Sequence, residues 1–100
     1  MSERGSGRTS RQLAALPDGG AYLVHTHAMA RYCCNLLREA GRSPDAVRFF
    51  TAGQAERALP GARFDNWDVD HAYFQLAGRG GLRAYDLMGM AAGKGPLNTR

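Results

Sequence analysis

The chain of 100 residues is poor in cysteine, having only the adjacent pair Cys33-Cys34. Neighbouring residues on a helix point about 100° apart, so the two thiols are not placed to pair, and a disulfide framework is excluded as the source of stability. Long apolar runs are also lacking. Nothing approaches the ~20 residues needed to cross a bilayer, and the polar, arginine-bearing start has no apolar segment of the kind a secretory signal carries. These absences predict a cytoplasmic protein with no membrane partner. Acidic residues are scarcer than basic ones, nine against thirteen, giving a formal charge of +4.

What is present suits one small domain. A hydrophobic content of 44% can close a modest core without metal or disulfide. The pattern predicts a single α/β domain over residues 1–92 and a flexible tail over 93–100. A short helix runs from Ser10 to Leu16, and Pro17-Asp18-Gly19-Gly20 supplies turn residues. Ala21 to Thr26 reads as a buried strand. From His27 to Ala40, Met29, Tyr32, Cys33, Leu36, Leu37 and Ala40 recur at helical spacing, with Thr26 as a candidate cap and Gly41 placed to end the helix. Val47–Thr51 reads as a second strand, Gln54 to Leu59 as a helical turn or two, and Phe64 to His71 as a third strand. Gly78-Arg79-Gly80-Gly81 then reads as a flexible break before a last helix from Leu82 to Met90. Strands alternating with helices predict a small, mainly parallel sheet of three to four strands. Asn66, Asp68 and Asp70 alternate with Trp67 and Val69, so one side of the third strand is expected to meet water or a partner, with the helices mostly on one face.

The first ten residues carry the most specific signal. Gly7-Arg8-Thr9 fills the last three places of the phosphate-binding pattern Gly-x-x-x-x-Gly-Lys-[Ser/Thr], in which backbone amides wrap phosphates, the lysine reaches their oxygens and the hydroxyl holds magnesium. Ser2 stands where the first glycine belongs, and Arg8 replaces the lysine. With Val69-Asp70-His71 closing a late strand, residues 5–76 resemble small phage-type P-loop proteins related to helicases and terminases. The resemblance implies a reduced P-loop-like fold, with Asp70-His71 in the place of the Walker B acid pair. It also implies a phage-encoded protein working in the host cytoplasm. The incomplete loop predicts that hydrolysis is lost and that the chain is not an enzyme.

Other constellations are open to chemistry. His25, His27, Asp70 and His71 are adequate in type for zinc, since His-x-His on a strand would turn both rings to one side. A Cys34, His71 and Asp70 grouping has nothing in its spacing to bring the groups together. Basic residues gather near both ends, with Arg4, Arg8 and Arg11 in the first segment and Arg79, Arg83, Lys94 and Arg100 in the last quarter. Direct contact with nucleic acid through these ends is one expectation. Trp67 is the candidate interface anchor, in an interaction surface of Arg4, Arg8, Arg11, Trp67, Asp68, Arg79 and Arg83.

Three functions follow. The first is a cofactor-free, non-catalytic protein that engages and inhibits or modulates a host protein or protein–nucleic acid complex, as an anti-CRISPR or other anti-defence factor does. The second is a residual binder of Mg-nucleotide or phosphate, using Gly5, Gly7, Arg8, Thr9 and Asp70. The third is a small metal-dependent hydrolase using the His25, His27, Asp70 and His71 set, with zinc as the candidate metal.

Overall fold

The computed structural model describes residues 8–59 and 61–97, with Arg8 entering through its backbone alone. Its sheet has three strands, all parallel: β1 (Gly20–Val24), β2 (Val47–Thr51) and β3 (Trp67–Val69), in the order β2-β1-β3. Gly20 pairs with Val47 and Val24 with Thr51 on one side of β1, while Ala21 pairs with Trp67 and Leu23 with Val69 on the other. The helices are α1 (Arg8–Ala15), α2 (His27–Glu39), α3 (Ala55–Ala58), α4 (Tyr73–Ala77) and α5 (Gly81–Ala92). Among the described residues no helix is long and apolar enough to cross a membrane.

The helices cover both faces of the sheet, not mostly one. Leu13, Leu16, Tyr22, Val24, Cys33, Leu37 and Val47 form one core cluster, beneath α1 and α2. Ala21, Leu23, Phe50, Trp67, Tyr73, Ala84 and Met88 belong to the other, together with α3, α4 and α5. Alternate residues of β1 thus serve opposite cores, which is why all five are buried. The physical cause is the strand order. The chain moves from β1 to β2 in one direction and from β2 past β1 to β3 in the other. Right-handed crossovers made in opposite directions put their helices on opposite faces.

Local chemistry sets the boundaries. Thr26 is extended at φ −134° and its hydroxyl accepts from the Met29 amide, so α2 begins at His27. Gly41, at φ 80°, ends it: the amides of Gly41 and Arg42 donate to the Arg38 and Leu37 carbonyls, 3.0 and 2.8 Å away. The stretch 78–81 is not a flexible break. Gly78–Gly80 is a single 3-10 turn leading into α5. At Gly81 a Cβ would come within 2.6 Å of Ala77 Cβ and 2.9 Å of the Tyr73 ring, while the Tyr73 hydroxyl donates to the Gly81 carbonyl at 2.9 Å. Glycine is there because α4 and α5 approach too closely for any side chain.

The tail expectation needs a correction for residues 93–97. Lys94 offers its carbonyl to the Trp67 indole at 2.8 Å, Pro96 is buried, and Leu97 packs against the α1/α2 cluster.

A buried carboxylate site at the strand ends

Strand order 2-1-3 creates a topological switch between β1 and β3, where the connections leaving the two carboxyl ends diverge, the position at which open α/β sheets generally bind ligands. Asp70 follows β3 and His25 follows β1, so both lie at that switch. Helix α1 brings Thr9, one residue into its first turn, to the same place. The Thr9 hydroxyl donates to Asp70 Oδ1 at 3.1 Å, across 61 residues of sequence. Thr9 is 5% exposed and Asp70 3%. The helix N-terminus carries a partial positive charge, which favours a carboxylate at this position.

The surrounding groups are matched donor to acceptor. Tyr22, pointing from β1 toward α1, is 2.9 Å from Gln12 Oε1 and 3.1 Å from Asp70 Oδ1, so its single hydroxyl proton serves one of the two at a time. Burial first, then the Asp70 charge, pushes the pKa of Tyr22 well above the ordinary phenol value and keeps it a neutral donor. Asp70 Oδ2 accepts from the Ala72 amide at 3.3 Å, turning the chain toward α4. Asp68, only 1% exposed, accepts the Val69 amide at 2.9 Å and the Gln12 side chain at 3.3 Å.

The polar side of β3 therefore does not face water. Its alternation is real, but α1 covers it with Thr9 and Gln12, which are themselves polar and buried. Asp68 is consequently not part of an interaction surface. Trp67 is fully buried as well, held edge-on by Tyr85 with ring centroids 5.3 Å apart, and is a core residue rather than an exposed anchor. Arg11, Arg79 and Arg83 are exposed as expected, Arg83 lying 3.4 Å from Glu56. Arg4, Gly5 and Gly7, and the side chain of Arg8, lie outside the described residues, as does Arg100.

The chain matches no family model, no curated protein and no solved structure.

The proposed zinc set does not assemble. Among the described residues no three His, Cys, Asp or Glu side chains come together as metal ligands. The reason is local: β1 stops at Val24, and Thr26 caps α2 with His27 as its first residue, so the period of two that would have aligned the histidines no longer holds. His27 and His71 are exposed. His25 is half-buried, and its Nδ1 is shielded with no hydrogen-bond partner among the described residues. Cys34 and Cys33 are both free thiols. Gln12 and Tyr22 were not among the sequence candidates. A glutamine on a helical stripe and a tyrosine in an apolar strand give no local sign that they meet two aspartates from a strand some 50 residues away.

Proposed function

We propose that the chain is a non-hydrolysing binder of Mg-nucleotide or a related polyphosphate, held at the N-terminus of α1 and the carboxyl ends of β1 and β3. The observation that carries this is the Thr9–Asp70 contact of 3.1 Å. In phosphate-binding loops, the hydroxyl at the end of the loop and an aspartate at the end of a nearby strand together hold magnesium beneath the phosphates. Thr9 is the last residue of the partial motif Gly7-Arg8-Thr9, and Asp70 is the strand-end acid that the resemblance singled out. Magnesium fits this donor set, since it keeps several waters and needs only one or two protein oxygens besides the phosphate. When bound, it would neutralise phosphate charge. The protein's own part is to orient its two oxygens and to present the amides of the first turn of α1 to the anion. Lysine is absent from the loop position held by Arg8, so the reading is of binding without turnover.

The test is a thermal titration with Mg-ADP and Mg-ATP on the wild type, Thr9→Ala and Asp70→Asn. A ligand at a hundred times its Kd adds about 2.7 kcal/mol to stability, which raises the melting temperature by about 10–20 °C in a domain of this size. Both variants are expected to lose most of that gain, with no phosphate released. A flat wild-type titration at millimolar nucleotide would sink the proposal.

One observation favours the interaction reading instead. Phe74, Leu76, Leu82 and Met90 are exposed apolar side chains on α4 and α5, with Met90 at 73%. A host protein engaged by these helices would leave nucleotide without effect, so the same titration separates the two readings.

A further inference from the structure

The peptide groups of β3 alternate in direction. The Ala21 amide donates to the Asn66 carbonyl at 3.0 Å and the Asp70 amide to the Leu23 carbonyl at 2.9 Å, so residues 66 and 70 face β1. Val69 and His71 therefore turn their peptide groups to the outer edge, where no fourth strand lies among the described residues. Three of the groups on that edge nevertheless have side-chain partners. The Val69 amide donates to Asp68 Oδ1 at 2.9 Å. Gln12 Nε2 donates to the Val69 carbonyl at 2.8 Å, and Gln12 Oε1 accepts from the His71 amide at 3.1 Å.

The last pair has a specific meaning. In a parallel ladder, a residue on the neighbouring strand donates to the carbonyl preceding its partner and accepts from the amide following it. Gln12 makes those two bonds with the residues on either side of Asp70. Its carboxamide has one donor and one acceptor at the spacing the edge requires, and it reaches them from α1, three residues after Thr9. Its remaining capacity goes to Asp68 and Tyr22, at 3.3 and 2.9 Å. Gln12 itself is 8% exposed.

We propose that Gln12 is the positioning residue of the Thr9–Asp70 site, standing in for the residue of a fourth strand and fixing where Asp70 sits relative to the N-terminus of α1. The role at the site rests on the nucleotide reading; the clamp on the strand edge does not. Substituting Gln12 removes no group that would touch phosphate or magnesium, yet it frees the two peptide groups that hold Asp70 in line with Thr9. The consequence is selective. Nucleotide affinity without magnesium depends on the helix terminus, whereas the gain on adding magnesium depends on the alignment of Asp70.

The experiment has two arms, run on wild type, Gln12→Ala and Gln12→Glu. In the first, amide hydrogen exchange is followed by NMR at His71, with Leu23 as an internal reference. Loss of this partly buried hydrogen bond is expected to speed His71 exchange about tenfold in Gln12→Ala, while Leu23 is unchanged. Gln12→Glu keeps an acceptor for the His71 amide and is expected to retain its protection. In the second arm, the Kd for ADP is measured with magnesium and with chelator. The ratio of the two should fall toward one in both variants, because each loses the donor to the Val69 carbonyl. A variant that is merely destabilised would weaken both affinities alike and keep the ratio. Unchanged His71 exchange in Gln12→Ala would overturn the clamp, and an unchanged magnesium ratio would overturn the positioning role. Should the wild type show no magnesium-dependent binding, the nucleotide reading and the role at the site fall together, and the exchange arm alone decides whether Gln12 holds the edge.

Discussion

Cys33 sits inside the core shared by α1, α2 and β1, with no exposed surface. Burial first, then the charge of Asp70 and the neighbouring Cys34, raises its thiol from 9.0 to about 12. Tyr22 moves in the same direction for the same leading reason, and Tyr73 is raised by burial alone. All three groups are held neutral by the fold and release their protons more easily when unfolded. The native state therefore binds more protons at alkaline pH. The stability these groups supply is complete below the unfolded thiol value of 9.0 and is lost as pH climbs toward about 12. The melting temperature is expected to fall across that window and to fall less steeply in Cys33→Ala. A maleimide at neutral pH is expected to modify the half-buried Cys34 and spare Cys33, since the thiolate is the reactive form. Rapid labelling of both thiols in the folded protein would contradict the burial that underlies the shift.

Helix α1 is eight residues long and has no basic residue in its last turn. Its carboxyl end is capped from elsewhere, by Arg42, which follows the glycine that ends α2. The guanidinium donates to the carbonyls of Leu13 and Leu16 at 2.8 and 2.9 Å and pairs with Asp18 at 2.8 Å. Asp18 is largely exposed, so the ion pair adds little, and the carbonyl bonds carry the effect. Arg42→Ala is expected to cost about 1–3 kcal/mol, and Arg42→Lys to recover less than half of it because an ammonium lacks the planar fork. Chemical denaturation checks this directly, and a loss under about 0.5 kcal/mol would show that water caps α1 as well. The helix also shows which elements the sequence made legible. Strand β2 has the expected bounds, and α2 begins at the expected residue with Thr26 as its cap, because an apolar run and a cap are local signals. Helix α4 was not foreseen: Tyr73–Ala77 is one short turn whose stability comes from packing against α5. Thr9 and Asp70 were legible as candidates through their motif positions. Gln12, Tyr22 and the burial of Asp68 were not, because each depends on where α1 lands on the sheet.

The two cores are joined in two ways, by the strands that separate them and by the segment 93–97. Trp67 belongs to the cluster of α3, α4 and α5 and hands its indole proton to the Lys94 carbonyl, while Leu97 packs on the opposite cluster. The segment therefore passes from one face of the sheet to the other. Ending the chain after Ala92 would leave the indole without its acceptor and uncover apolar surface in both layers. The expected loss is about 1–3 kcal/mol for the orphaned donor, with the exposed apolar area adding to it. Trp67 is the single tryptophan, so its emission reports on that contact without background. A shift to longer wavelength with a lower melting temperature is the expected result. Faster modification of Cys33 in the shortened chain would show that the opposite core has loosened too, as a strap touching both layers requires. Unchanged emission with unchanged melting would mean that the three strands and five helices hold the two layers together without it, and that the indole's bond to Lys94 contributes nothing to the fold.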